Sequence, residues 1–184
     1  SFSTGIDYEN FDKDEEIIQQ VHEFIGQVLP IPAVKEYVLK VMGSILSGKT
    51  GEEKFHIWTG CGGNGKSKLI ELFEKAFGDY CGKLSVTNVT QKRPASNACT
   101  PELLKNKGKR FVTLQEPDDD EQIHVGAMKE LTGGDKIQAR GLFKDPIEFK
   151  PQWKIVMTSN VLPNVSANDN GTWRRIRVTE FISR

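Results

Sequence analysis

Long apolar runs are missing from this chain. No stretch approaches the roughly 18 residues that a membrane-spanning helix needs. The N-terminus, Ser1 and Phe2 followed by the acidic Asp12 to Glu16, lacks the basic and apolar regions of a signal peptide. Both absences argue against a membrane or secreted protein. Cysteine is scarce as well. Cys61, Cys81 and Cys99 are odd in number and lack metal-ligand spacing, which argues against a disulfide or zinc framework and fits a reducing, intracellular setting. Nor does charge of one sign predominate. The 25 basic residues balance 25 acidic ones, so a nucleic-acid partner would have to be held by a local patch and not by a global positive field.

What is present suffices for one domain with a real core: 184 residues, 37% of them hydrophobic. The chain opens on Ser1 and not Met, as a piece excised from a longer protein does. Ile17, Val21, Phe24, Ile25 and Val28 recur at helical spacing, Pro30 and Pro32 interrupt, and Val34, Tyr37, Val38, Val41 and Ile45 resume it. This pattern predicts two helices within residues 14–46. They either pack on the rest of the domain or form part of an oligomerising collar. A strand is expected at Lys54 to Trp58, a helix carrying Leu69, Leu72, Phe73 and Ala76 that stops at Gly78, and a strand at Lys83 to Thr87. A short helix near Pro101 to Lys105 and a strand at Arg110 to Leu114 follow. Ile123 to Leu131 reads as a helix closed by a left-handed cap at Gly133 and Gly134. Lys136 to Arg140 and Ile147 to Lys150 read as the arms of a hairpin, and Trp153 to Thr158 and Arg175 to Glu180 as the last strands. The alternation predicts an α/β fold with a mainly parallel central sheet over residues 51–184, preceded by an N-terminal helical segment over 1–50.

The pattern G-x-x-x-x-G-K-[ST] occurs twice, at Gly43 to Thr50 and at Gly60 to Ser67. A phosphate cradle needs a strand entering the loop and a helix leaving it, so that backbone N–H groups and the helix N-terminus converge on the phosphates. The first match starts inside an amphipathic helix and spends Ile45 and Leu46 on its apolar face, with Gly48 as the helix stop. The second follows a strand and opens a helix. Its candidate nucleotide-binding set is Gly60, Cys61, Gly62, Gly63, Asn64, Gly65, Lys66, Ser67 and Lys68, with Lys66 on the β- and γ-phosphates and Ser67 on Mg²⁺. The thiol of Cys61, beside Lys66 and a helix N-terminus, is expected to be reactive.

Such a cradle also needs an acid at the end of a neighbouring strand to hold magnesium and polarise the attacking water. Gln115 fills the first such slot, so Glu116 serves as general base, as magnesium partner through water, or as both. Asp118 is a secondary candidate, and Asp119, Asp120 and Glu121 read as a solvated run. Asn160, at the end of the strand Lys154 to Thr158, is placed to sense the γ-phosphate or orient the water. Trp173, Arg174, Arg175 and Arg177 form a basic cluster, in which Arg174 and then Arg175 are the candidates for an arginine acting on a neighbouring subunit's phosphates, a role that contributes on the order of 10³ to 10⁵ in turnover. The hairpin tip sets Phe143 beside Lys144, a pairing suited to stacking a base and neutralising a phosphate of single-stranded nucleic acid, with Arg140 near it. Packing of the tip on a neighbour is the alternative.

Taken in order, GCGGNGKS, Gln115-Glu116-Pro117, the run Lys129 to Asp135 with its hairpin, Thr158-Ser159-Asn160 and Gly171 to Arg177 resemble the superfamily 3 helicase core. The likeness is to the poxvirus-type primase-helicases of nucleocytoplasmic large DNA viruses. It spans about Val34 to Phe181. The resemblance implies an AAA+ P-loop fold, a homohexameric ring, ATP and Mg²⁺ as cofactors, and translocation on single-stranded DNA at a viral replication fork inside the host cell. It further implies a primase domain elsewhere in the full-length chain. By resemblance, Lys66 and Ser67 hold nucleotide and magnesium, Glu116 drives hydrolysis, Asn160 senses the γ-phosphate, Arg174 or Arg175 acts in trans, and Phe143 with Lys144 contacts DNA. Two features depart from the family pattern: Gln115 stands where many members carry a second acid, and these 184 residues stop at Arg184, soon after the candidate arginines, without the C-terminal elements and the upstream primase domain that the resemblance leads one to expect. A nucleoside-kinase-type phosphotransferase and a non-enzymatic DNA-binding module are the rival readings.

Overall fold

Every residue of Phe55–Thr59 is buried, as are Phe111–Leu114 and all but one residue of Lys154–Ser159, a pattern that only a strand covered on both faces produces. The computed structural model describes all residues except 11, 13, 14, 96, 97, 119, 120 and 184, so Asp119 and Asp120 lie outside the described residues. In chain order the elements are α1 (Glu16–Val28), α2 (Pro32–Ile45), β1 (Phe55–Thr59), α3 (Lys66–Phe77), β2 (Cys81–Leu84), α4 (Thr87–Thr90), α5 (Pro101–Lys105) and β3 (Phe111–Leu114). There follow β4 (Gln122–Ile123), α6 (Val125–Thr132), β5 (Ile137–Ala139), β6 (Ile147–Phe149), β7 (Lys154–Ser159), β8 (Asn164–Val165), α7 (Asn170–Trp173) and β9 (Ile176–Glu180). Five strands form one sheet in the order β2-β3-β7-β1-β9, and every pairing is parallel. The α/β class with a parallel central sheet is therefore as the alternation predicts.

Each face of the sheet has its own core. Ile25, Val28, Val38, Met42 and Ile45 from α1 and α2 share a cluster with Trp58, Leu69, Phe73, Phe77, Phe111 and Phe181. Residues 16–45 thus pack on the sheet beside α3 and have no separate core. The other face carries Phe55, Ile57, Val112, Leu114, Met128, Leu131, Trp153, Ile155 and Met157, together with the hairpin residues Ile137, Ala139 and Phe149. Truncating a side chain as enclosed as Leu69 or Met128 to alanine costs about 2–5 kcal/mol.

Several local expectations need correction. The strand expected at Lys83 to Thr87 ends at Leu84, because the Ser85 hydroxyl and carbonyl engage Thr87 and Asn88 and turn the chain into α4. Ile123 does not begin a helix. It pairs with Val165, and α6 starts only at Val125, where the His124 ring accepts the Ala127 N–H. Gly133 is extended (φ −65°, ψ 156°) and neither it nor Gly134 has positive φ. Glycine is needed at 133 for another reason: its N–H closes the helix on Lys129 O, and a Cβ there would lie 2.9 Å from that oxygen. Arg175 falls in the turn before β9 and not on the strand.

His56 sits within β1, between β7 and β9, and is 1% exposed with Nε2 unpartnered. Burial, followed by the nearby Lys154 ammonium, pushes its pKa down to about 4. The folded state therefore resists a proton that the unfolded chain takes up below about 6.5, so stability is full above that pH and is lost as pH falls towards 4. Denaturant unfolding at pH 7 and pH 5 should show a loss of about 2 kcal/mol from this group, and His56→Phe should remove that part of the slope. Equal slopes in the two proteins would contradict it.

Candidate functional site

Because all five strands run the same way, the loops that follow them meet along one edge. Thr59 of β1 is in register with Ser159 of β7, and Leu114 of β3 with Met157, so Gly60, Gln115, Glu116 and Asn160 gather there. Crevices at the carboxyl edge of such sheets are where ligands bind.

The glycine-rich loop 60–65 enters this edge from β1 and leaves into α3, whose first residue is Lys66. Gly60 has φ 138°, and a Cβ on it would lie 2.4 Å from Phe181 O. Gly65 caps α3 with φ 81°, and a Cβ there would meet Val28 Cγ2 at 2.7 Å. The loop is braced from beneath. Asn64 is buried and donates Nδ2 to Phe181 O at 3.1 Å, while the Ser183 hydroxyl lies 2.9 Å from Asn64 O and 3.1 Å from Val28 O. The Asn64 side chain thus serves the loop's shape and faces inward. Lys66 is buried. Its ammonium donates to Asn64 Oδ1 at 3.1 Å and to the carbonyls of Gly60 and Cys61. Burial lowers its pKa from the usual lysine value, and the Glu116 carboxylate opposes that shift. Lys68 pairs outward with Glu71 at 2.9 Å, leaving its backbone N–H as its contribution to the loop.

Glu116 and Asn160 are in direct contact. Asn160 donates its backbone N–H to Glu116 Oε1 and its Nδ2 to Oε2 at 2.9 Å, and Ser159 Oγ stands 3.4 Å from Oε1. Ser67, Thr113, Gln115, Glu116 and Thr158 line one cleft of ≈ 630 Å³, which extends to Lys83, Glu102 and Lys105. Asp118 is exposed, and its backbone N–H donates to Glu121 Oε2 at 3.2 Å.

The arginines are elsewhere. Ile176 at the start of β9 is in register with Phe55 at the start of β1, so Arg174 and Arg175 occupy the opposite edge of the sheet, about 13 Å of strand from the loop. Arg175 is nearly enclosed and donates to Glu53 at 2.7 Å and to Gly171 O at 2.8 Å. Arg174 has 63% of its side chain exposed and makes a 2.8 Å bond to the same Glu53 oxygen. At the hairpin tip Phe143 has φ 56° and is 94% exposed, so the tip does not pack on its own chain. Arg140 is half-buried and donates Nε to Lys144 O at 2.9 Å, which makes it a brace for the tip. Of the residues that organise the arginine turn, Glu53 and Asp169 have no place among the sequence-predicted site residues, and Lys129 enters only as the first residue of the run to Asp135. Only Asp169 carried a signal, the helix-capping spacing to Thr172.

Residues 58–175 match a family of unknown function, DUF5906. The chain belongs to that family. It is 40% identical over its whole length to "Putative helicase L207/L206" of Acanthamoeba polyphaga mimivirus, covering 19% of that protein. It is 33% identical over 87% of its length to "Putative helicase 022R" of Frog virus 3, covering 17% of it. It is 24% identical over 95% of its length to "Putative primase C962R" of African swine fever virus, covering 18% of it. The chain thus spans about a fifth of the length of these relatives. Among solved structures, the C-terminal region of NrS-1 (residues 305–718) superposes with a TM-score of 0.70 at 18% identity, over 90% of this chain and 38% of that one. Proteins related to this DUF5906 chain are therefore named as helicases and primases of large DNA viruses, and its α/β fold is shared with the NrS-1 region.

Cys61 is exposed on the loop, and its carbonyl faces the Lys66 ammonium. A nucleotide seated on the loop should slow labelling of this thiol by a maleimide while leaving Cys99, also exposed, unaffected. Equal protection of both thiols would show that nucleotide does not engage the loop.

Proposed function

We propose that this chain is the ATPase motor core of a viral replicative helicase, an AAA+ P-loop unit of the superfamily 3 type. The observation that carries the reading is the Glu116 carboxylate held by Asn160 at the same sheet edge as the loop of Lys66 and Ser67. An acid oriented by a polar side chain, opposite a lysine at a helix N-terminus, is what in-line attack of water on a terminal phosphate requires. The relatives' names favour replication as the setting.

ATP is the proposed nucleotide. Lys66 neutralises the β- and γ-phosphates, and the N–H groups of the loop and of Lys68 donate to their oxygens. Ser67 and Glu116 offer two hard oxygens to the same cleft and are the residues that would hold Mg²⁺. Bound magnesium supplies charge neutralisation at the transferring phosphoryl group. Glu116 takes the proton of the attacking water as the bond from the γ-phosphorus to ADP breaks, and Asn160 keeps the carboxylate aimed. Gln115 is neutral, so the acid directly at this strand end is Glu116. Arg174, exposed and far from its own loop, is the arginine that reaches the next subunit's phosphates, and Arg175 is its buttress. The protein works as a ring, proposed to be a hexamer, with Phe143 and Lys144 of each hairpin gripping single-stranded DNA in the pore. The full-length protein carries a primase domain and acts at the intracellular site of viral DNA replication.

ATP hydrolysis measured with and without single-stranded DNA tests this. DNA should stimulate turnover, Lys66→Ala should abolish it, and Lys144→Ala should keep basal hydrolysis while losing the stimulation. Full activity in Lys66→Ala would sink the site assignment. Arg174→Ala mixed with Lys66→Ala should regain turnover that neither variant has alone, because their junctions pair an intact loop with an intact arginine. Arg175→Ala, by contrast, strips Glu53 of its enclosed partner and should lower stability by about 1–3 kcal/mol.

A further inference from the structure

The turn that carries the two arginines is fastened to the helix that leads into the hairpin. Lys129 on α6 forms a 2.7 Å ion pair with Asp169 Oδ1. The same carboxylate caps α7, accepting Thr172 N–H at 2.9 Å on Oδ1 and the Thr172 hydroxyl at 2.8 Å on Oδ2. Arg174 N–H then closes on Asn170 O at 3.0 Å, and Arg175 N–H on Thr172 O at 3.0 Å. Lys129, Asp169 and Arg175 converge on Gly171: a Cβ there would stand 2.9 Å from Asp169 Oδ1, 3.7 Å from Lys129 Nζ and 3.8 Å from Arg175 Nη1. On the other side α6 ends at Thr132, and after four intervening residues the chain enters β5 of the hairpin at Ile137. Hydrogen bonding from Lys129 and Thr172 holds the Asp169 carboxyl down at about 2, so the clasp stays ionised throughout the physiological range.

Nothing about this ion pair serves the core. Both partners are partly exposed, and an isolated surface pair contributes about 0–1 kcal/mol to stability. It joins two segments 40 residues apart, and its acid is the one that caps the short helix leading to Arg174. We propose that Lys129 and Asp169 are positioning residues that fix the reach of Arg174 towards a neighbouring subunit and tie it to the hairpin helix. The inference rests on the motor reading above and deepens it.

The test is complementation between inactive subunits at concentrations that favour assembly. Lys129→Met should lower kcat roughly 10- to 100-fold with nucleotide affinity and melting temperature unchanged, since the catalytic cost of a small misplacement far exceeds that of a surface ion pair. Lys129→Arg should restore turnover, and Asp169→Asn, which keeps an acceptor for the Thr172 N–H, should behave like Lys129→Met. Mixing Lys129→Met with Lys66→Ala should regain activity, because the first supplies an intact loop and the second an intact arginine turn. A defect confined to folding would not be cured by mixing. Failure of that pair to complement overturns the positioning role. If Arg174→Ala mixed with Lys66→Ala also fails, the trans-acting arginine falls with it; if that control succeeds, only the clasp does.

Discussion

The parallel register of β1 between β7 and β9 is the constraint on which the rest depends. A slip of one residue would turn Phe55, Ile57 and Thr59 to the face now filled by His56 and Trp58, and would take both cores apart at once. The same register sets which loops are neighbours. It puts Gly60 beside Asn160 and, through β3, brings Glu116 within reach of both. It also sends Arg174 and Arg175 to the far edge. Packing the sheet therefore lays out the chemistry, with no separate instruction for the site.

The loop is held by parts of the chain remote from it. Asn64 bonds to Phe181 O, Ser183 bridges towards Val28, and Gly60 and Gly65 are glycine because neighbours fill the space of a side chain. The helices of residues 16–45 are thus structural partners of the loop, which favours packing over a detached collar. Lys66 is held in a similar way, its charge satisfied by backbone carbonyls and Asn64 Oδ1 inside a buried setting that disfavours it. A charge kept in place at that cost is poised for an anion.

Much of this was legible in the sequence where local rules govern. Apolar periodicity located both N-terminal helices, α3 and the buried strands. The strand and helix around Gly60 to Ser67 separate it from the decoy at Gly43 to Thr50, where α2 already ends at Ile45 with Leu46 as its cap, and Gly48, φ 63°, lies in the turn beyond. Glu116 and Asn160 were singled out as strand ends, and the structure brings them into contact. What escaped was set by distance in the chain or by competing local bonds. Glu53 pairs with arginines more than 120 residues away, and no spacing announces that. The strand at Lys83 was read too long because the Ser85 turn, supported by Glu102 seventeen residues on, overrides β-propensity. Gly133 was read as a left-handed cap when its task is close approach to a carbonyl.

The placement of loop and arginines on opposite edges of one sheet has a consequence for counting. On the motor reading, no single copy of the chain owns a complete site, and two copies related by a two-fold axis would present like edges to each other. Only head-to-tail association joins unlike edges. An open row of such copies has one fewer complete site than it has members, and closing the row adds the last one. Circularity itself would then be a source of activity, independent of any change in the shape of a subunit.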